Sequence, residues 1–122
     1  MIKKSIQCTT EPLEYLLRNK ETVDFRLDED QWQDLNVGDV IEYWEDVTGW
    51  QKEPSAHSRK VQARITEIFR VKSFSDLISL CQNDGLFKDE NPDEIVSNLR
   101  QWWTEDKEKQ VGVLGLKVKI VP

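Results

Sequence analysis

Cysteine and histidine are both scarce in this sequence, which contains only Cys8, Cys81 and His57. Two cysteines cannot form a disulfide framework or supply the four closely spaced ligands of a structural zinc site, so both are expected to be reduced thiols. A single imidazole also rules out a histidine-rich catalytic metal site, and any Ser-His-Asp or Cys-His chemistry would have to use His57. The sequence therefore predicts neither a metal nor a cofactor, and it places His57 in a loop close to Pro54.

Long apolar runs are absent as well. No window approaches the roughly 18 apolar residues that a membrane helix needs. The opening residues, MIKKSIQCTT, contain two lysines but no apolar stretch behind them, which is unlike a secretory signal. We therefore expect a cytoplasmic protein with no membrane partner. The 122 residues fit the usual domain size of about 100–200 residues, which predicts one domain over residues 1–122.

Positive charge is in deficit, with a formal net charge of −6 that repels phosphate backbones at long range. The charges are unevenly distributed. Residues 28–53 contain nine acidic side chains against Lys52 alone, whereas residues 54–72 contain five basic side chains against Glu67 alone. The acidic segment 28–53 is therefore a candidate surface for a basic protein partner. The alternative is that both segments are ordinary solvated surfaces.

The first third of the chain predicts a strand, a helix and a second strand. Ser5–Thr9 is typical of a short strand, and Thr10 is the expected N-cap of a helix that runs to about Asn19. From Thr22 to Leu27 the odd-numbered positions are apolar and the even-numbered positions are polar, which indicates a strand with one buried face. Asp24 and Arg26 share the polar side, close enough to pair with each other or with a ligand.

Two further strands are predicted in the middle third of the chain. The turn at Gly38 leads into a mostly apolar strand over 40–44, and residues 48–58 form the most loop-like segment. A strand from Val61 to Val71 follows, whose alternation shifts by one residue at Glu67-Ile68, as at a β-bulge. Three basic side chains should project outward from this strand: Arg64, Arg70 and Lys72.

The remainder of the chain predicts two helices and a closing strand. Ser73–Cys81 has apolar residues at helical spacing, and Asn91-Pro92 is a helix start whose buried stripe continues through Trp102 and Trp103. A strand over 114–120 ends the chain. The whole predicts an α+β protein with about five or six strands and about three flanking helices. Its antiparallel sheet is expected to form a small β-barrel.

Four segments carry a resemblance to a known family. The order of strand, helix and TVDFRL (22–27), followed by LNVGDVI (35–41), resembles the opening of the ASCH domains, the activating signal cointegrator homology family. VKSFSDL (71–77) and the closing WW, KEK and GVLGL resemble that family's second half. The similarity covers nearly the whole chain in the same order. It implies a PUA-like fold, a small β-barrel with helices beside it and a cleft next to the first helix.

The resemblance also implies an association with RNA or modified nucleosides. The cleft motif of the family, Gly-x-Lys-x-x-Glu-x-Arg, aligns with Asn19, Glu21, Asp24 and Arg26. Arg26 matches, Asp24 is a shorter carboxylate, and the other two positions depart from the motif. Lys20 lies one position away from the expected lysine.

Three functions follow as expectations. The first is recognition of RNA or a nucleoside-like ligand, in which Arg26 makes a planar contact and Asp24 orients it, while Lys20 and the outward row meet phosphates. That row consists of Arg64, Arg70 and Lys72. The second is a hydrolase acting on RNA or an acylated nucleoside, with Lys20, Glu21 or Asp24 in acid–base roles. The third is a protein adaptor that uses the acidic face over 28–53.

The five tryptophans bear on the choice among these three functions, because unstacked bases bind to aromatic planes. Trp102 and Trp103 lie on a helical stripe and are expected in the core, as is Trp44 at the end of an apolar strand. Trp32 and Trp50 fall in polar segments. Each is either a stacking platform or a cap on the core.

Overall fold

Five strands and four α-helices make up the computed structural model, which describes residues Met1–Pro122. The strands are β1 (Ile2–Thr9), β2 (Glu21–Leu27), β3 (Val40–Asp46), β4 (Lys60–Val71) and β5 (Val113–Ile120). The helices are α1 (Thr10–Asn19), α2 (Phe74–Asn83), α3 (Pro92–Leu99) and α4 (Glu105–Val111), and a 3-10 turn spans Asp30–Trp32. The α+β class is therefore confirmed. None of the helices has the length and apolar character required to cross a membrane.

The strands form one mixed sheet in the order β1-β3-β4-β5-β2. β3 and β4 are antiparallel, but β1 pairs with β3 in parallel, from Ile2 opposite Val40 to Thr9 opposite Asp46. The expectation of an antiparallel sheet is wrong for this pair. Side chains alternate with period two in either orientation, so the sequence pattern did not distinguish them. The long connection through α1 and β2 provides the crossover that a parallel pair requires.

The chain divides into two compact units, each assembled from separate segments. The first unit consists of Met1–Thr22, Leu35–Glu67 and Lys117–Pro122, and the second of Val23–Asp34 and Ile68–Leu116. Neither unit is a continuous stretch of chain. The prediction of one domain over 1–122 stays a prediction.

The first unit buries most of β3, on both of its faces, together with part of α1. Leu13 and Leu16 of α1 are buried, as are Ile41 and Trp44 of β3. The interior position expected for Trp44 is therefore confirmed. The helix begins one residue earlier than predicted, with Thr9 rather than Thr10 at the N-cap position. The Thr10 hydroxyl instead donates a hydrogen bond to Glu45, a partner outside the helix.

Helix α3 of the second unit begins where the sequence predicts, and α2 begins one residue later, with Ser73 at its N-cap position. The side chains of Ser73 and Asn91 accept hydrogen bonds from backbone N–H groups in the first turns of α2 and α3. The apolar stripe of α2 is buried, from Phe74 to Cys81. Such caps satisfy N–H groups that have no partner within the helix.

Two features of the second unit differ from the prediction. Helix α3 ends at Leu99, before the expected stripe is complete, and Trp102 is 52% exposed. Trp103 stacks on Phe74 with ring centroids 5.7 Å apart. Helix α4 was not predicted, because EDKEKQV contains almost no apolar residues; its cap is Thr104, whose side chain accepts from Lys107 N.

Gly115 of β5 lies against a fully buried leucine. A Cβ at this position would lie 2.7 Å from Cδ1 of Leu77 and 2.9 Å from Cδ2. Both distances are shorter than van der Waals contact, and the surrounding core leaves Leu77 little room to move.

We expect Gly115→Ala to lower the free energy of unfolding by about 1–3 kcal/mol through overpacking. The same change in a Leu77→Ala background should cost clearly less, because the smaller side chain leaves room for the added methyl group. Urea unfolding of the two single variants and the double variant measures this coupling. Strictly additive costs would contradict the proposed clash.

Candidate functional site

Strand β2 presents an arginine that is held by a carboxylate and an indole ring. Arg26 Nε donates a hydrogen bond to Asp24 Oδ1 at 3.0 Å. On the same guanidinium, Cζ lies 5.1 Å from the ring centroid of Trp32. Strand alternation left open whether Asp24 and Arg26 pair with each other or with a ligand, and in the structure they pair with each other. The three side chains form the Arg26 site.

The Arg26 site is largely withdrawn from solvent. The side chain of Arg26 is 20% exposed and that of Asp24 is 13% exposed. A carboxylate and the face of an indole ring both attract a guanidinium, and both attractions grow as water is removed. Trp32 is half-buried at the end of the 3-10 turn, where its backbone N–H donates to Glu29 O at 3.1 Å. The plane of Arg26 is thus fixed before any ligand arrives.

Arg70 is tied to the segment that follows β2. Its Nε lies 3.6 Å from Asp28 Oδ2, and its Nη2 donates to Gln33 Oε1 at 3.4 Å. Gln33 in turn donates from Nε2 to Asp28 Oδ1 at 2.7 Å. The positive charge of Arg70, expected to meet a phosphate, is therefore balanced by a carboxylate within the protein.

A shallow cavity of about 360 Å³ adjoins the 3-10 turn. It is lined by Asp28, Glu29, Asp30, Gln31 and Val111. Small-molecule sites have volumes of about 300–1,000 Å³, so the cavity lies at the lower end of that range. Its carboxylates accept hydrogen bonds and repel phosphate groups. The lining therefore favours a ligand that brings amino groups rather than negative charge.

The remaining predicted site residues are Lys20, Glu21, Arg64 and Lys72. Lys20 is exposed at the end of α1, and Glu21 is half-buried at the start of β2. Arg64 is exposed, and its Nη1 donates to Gly38 O at 3.0 Å. Lys72 is exposed just beyond the end of β4. Of the expected outward row, Arg64 and Arg70 thus have partners within the protein.

A second polar cluster, at the end of β3, was missed as a unit. Glu45 is 5% exposed and accepts hydrogen bonds from Arg59 Nε at 3.1 Å and Arg59 Nη2 at 2.7 Å. It also accepts from Thr10 Oγ1 at 3.0 Å, while Arg59 Nη2 reaches Glu14 Oε1 at 2.7 Å. The available signal was a pair of consecutive acids ending an apolar strand, since alternation forces one of them inward.

Asp46 is buried beside Glu45 and organises the loop that follows. It is 1% exposed and accepts from the backbone N–H groups of Thr48, Gly49 and Gln51 at 3.1, 2.8 and 3.1 Å. Gln7 Nε2 also donates to this carboxylate. Glu45 and Asp46 were expected on the solvated acidic face over 28–53. Their burial corrects that expectation, because both carboxylates are turned toward donors inside the first unit.

The two buried carboxylates remain charged because their hydrogen bonds outweigh burial. Arg59, assisted by Thr10, lowers the pKa of Glu45 from 4.5 to about 2, against the opposite effect of desolvation. Burial also acts to raise the pKa of Asp46, but hydrogen bonds from Gln7 and the loop backbone hold it below its usual 3.8. Neither cluster provides three or more ligands arranged for a metal ion.

Comparison with known proteins identifies the fold but no family. No protein-family profile matches the sequence, and no curated protein matches it. The crystal structure of "hypothetical protein PH0355" superimposes with a TM-score of 0.75 at 18% identity, over 97% of this chain and 98% of that one. The solution structure of protein PF0455 from Pyrococcus furiosus gives 0.67 at 21% identity, over 99% and 98%. These identities establish a shared fold only.

The pKa of Glu45 predicts a specific loss of stability in acid. Its folded pKa lies below the unfolded value, so its contribution is present above about pH 4.5 and is lost as the pH falls toward 2. We expect Glu45→Gln to be less stable at neutral pH and to show a flatter decline between about pH 5 and 2. Urea unfolding across this range tests it, with Glu53→Gln, an exposed carboxylate, as control. A pH slope equal to that of the wild type would refute the assignment.

The backbone conformation of Lys20 predicts an effect on stability that can be separated from the effect of its charge. Lys20 ends α1 with φ of 67°, and its N–H donates to Leu16 O at 2.8 Å. Glycine adopts this left-handed conformation without steric cost, so Lys20→Gly should raise the free energy of unfolding by about 1 kcal/mol. Lys20→Ala, which also removes the charge, should give no such gain. Equal stabilisation by both variants would show that charge, rather than backbone conformation, is responsible.

Proposed function

We propose that this protein is a recognition module for RNA or a nucleoside-like ligand, and that it binds a base at the Arg26 site. The observation that carries the proposal is the guanidinium of Arg26 held between the Asp24 carboxylate and the Trp32 ring. Both partners fix the plane of the cation in advance. A preorganised planar group reduces the ordering cost of binding.

Trp32 is the ring that a base would contact. It is half-buried, with the guanidinium of Arg26 positioned over its ring. Stacking of a base on an aromatic side chain is worth about 1–3 kcal/mol and tolerates any base. A ring that already contacts a cation on one side can stack a base on the other, so that Arg26 supports the stack from beneath.

The cavity beside the 3-10 turn supports a base over a phosphate as the bound group. Glu29 and Asp30 provide acceptors for exocyclic amino groups, which adenine, cytosine and guanine all carry. Their charge disfavours a phosphate at the same position. The net charge of −6 acts in the same direction at long range. The ligand is therefore read through its base, and the backbone contributes less than in a basic RNA-binding protein.

The resemblance to ASCH domains supports the same proposal. We infer that the chain is a PUA-like domain of this family, in which the cleft arginine corresponds to Arg26. The α+β fold and the mixed five-stranded sheet are compatible with that class. A closed barrel and a cleft beside the first helix belong to the same inference. Hydrolysis receives less support, because Asp24 is engaged by Arg26 in an arrangement that positions a cation rather than activates a nucleophile.

Binding of RNA and free nucleosides tests the proposal directly. At low ionic strength we expect Arg26→Ala to weaken binding by about 10-fold, because the Trp32 ring loses the cation that supports the stacked base from beneath. Arg26→Lys should not restore it, because an ammonium cannot reproduce the planar contact. Anisotropy of a labelled RNA and calorimetry with nucleosides provide the two measurements.

The matched control is Arg18→Ala. Arg18 also contacts an aromatic ring, with Cζ 5.8 Å from the centroid of Tyr15, and its removal changes the net charge equally. Equal losses for the Arg18 and Arg26 variants would reduce the effect to bulk charge and refute the site. Thermal unfolding of each variant establishes that the binding loss is not a loss of fold.

A further inference from the structure

The connection between β3 and β4 is much longer than the pairing of the two strands requires. Antiparallel neighbours are commonly joined by about two to five residues. Here β3 ends at Asp46 and β4 begins at Lys60, so residues 47–59 form the connection. Ordered loops of this length are usually functional. We refer to residues 47–59 as the β3–β4 loop.

The first part of the β3–β4 loop is held by hydrogen bonds to a buried carboxylate. The Asp46 carboxylate accepts hydrogen bonds from three backbone N–H groups of the loop, those of Thr48, Gly49 and Gln51. The Gln51 side chain closes the turn by accepting from Val47 N at 2.8 Å. Because Asp46 is 1% exposed, these bonds are shielded from competition with water. The turn therefore has a defined shape.

This turn presents a tryptophan to solvent. Trp50 is 84% exposed, compared with 52% for Trp102, the other strongly exposed tryptophan. Its backbone N–H donates to Thr48 Oγ1 at 3.3 Å, and that hydroxyl itself donates to Asp46. Exposure of a whole indole ring is unfavourable in the isolated protein. An exposed ring carried on a preorganised turn has the properties of a stacking platform.

Two lysines that form no ion pair lie near this ring in the sequence and at the base of the loop. Lys52, two residues after Trp50, is exposed and forms no ion pair, and neither does Lys60, which pairs with Trp44 in the β3–β4 register. Arg59 differs, because Glu45 and Glu14 balance its charge. An aromatic ring accompanied by free cations matches single-stranded nucleic acid, in which a base stacks and the adjacent phosphates need neutralisation.

We infer that the β3–β4 loop is a second contact surface for single-stranded RNA, in which Trp50 stacks on a base while Lys52 and Lys60 meet phosphates. The inference rests on the proposed function and deepens it, because it selects an RNA strand over a free nucleoside as the ligand of the whole protein. A protein partner or a lipid surface is a weaker match, since the loop offers one large ring and Val47 but no wider apolar patch.

The test compares two tryptophan variants against two ligands. We expect Trp50→Ala to weaken binding of a short labelled single-stranded RNA by about 5- to 100-fold, the range for loss of one stacked base. It should leave nucleoside binding unchanged, because the Arg26 site is intact. Trp50→Phe should recover part of the loss. Trp102→Ala, the matched control, should change RNA binding by less than about twofold. Thermal unfolding should be unaffected by Trp50→Ala because the ring is exposed.

The outcomes separate this inference from the proposed function. If Arg26→Ala weakens RNA binding and Trp50→Ala does not, the loop contact is wrong and the function stands. If Trp50→Ala weakens it and Arg26→Ala does not, the loop contact stands and the Arg26 site is wrong. A wild-type protein that binds no RNA overturns both. Binding of anionic vesicles that depends on Trp50, without RNA binding, would also overturn the inference by assigning the ring to a lipid surface.

Discussion

Two neighbouring carboxylates at the end of β3 are the constraint around which the first unit is organised. An ionised carboxylate withdrawn from water costs several kcal/mol unless donors replace its hydration. Glu45 obtains its donors from the start of α1 and from Arg59, whereas Asp46 obtains them from β1 and from the backbone that follows it. The shape of the β3–β4 loop follows from this requirement, so that the exposed ring of Trp50 depends on a buried charge.

The parts of the fold that could be predicted from the sequence are those decided by local physics. The cap at Asn91 and the alternation of β2 involve neighbours within a few residues, and the structure confirms them. The parallel pairing of β1 with β3 depends on chain direction at long range, which no periodicity records. The spacing of Trp102 continues the apolar stripe of α3 and predicts a core position. The helix ends at Leu99, so helical spacing no longer determines which way Trp102 faces.

The candidate site likewise combines a contact decided by local spacing with contacts decided by tertiary structure. The contact of Asp24 with Arg26 follows from their spacing on one strand, whereas the ring of Trp32 reaches Arg26 only through a 3-10 turn that the sequence did not indicate. The sequence gives the number of charged side chains but not their partners in the folded protein. Arg70 is predicted to project outward and meet a phosphate, but it lies against Asp28, a residue distant in sequence. Residue type therefore predicted which groups were available, and tertiary contacts decided which remain available to a ligand.

The order of the sheet has a consequence for the way the polypeptide reaches its native state. β1 and β2, the earliest strands to be synthesised, occupy the two outermost positions and have as their neighbours β3 and β5. The sheet cannot grow progressively behind a ribosome, because β2 lacks its partner until residues 113–120 have emerged. Pairings of such wide sequence separation slow folding, since loop closure precedes any gain from contact. Until then β2 has no partner strand within the chain, and charged residues such as Asp24 would discourage its pairing with other chains.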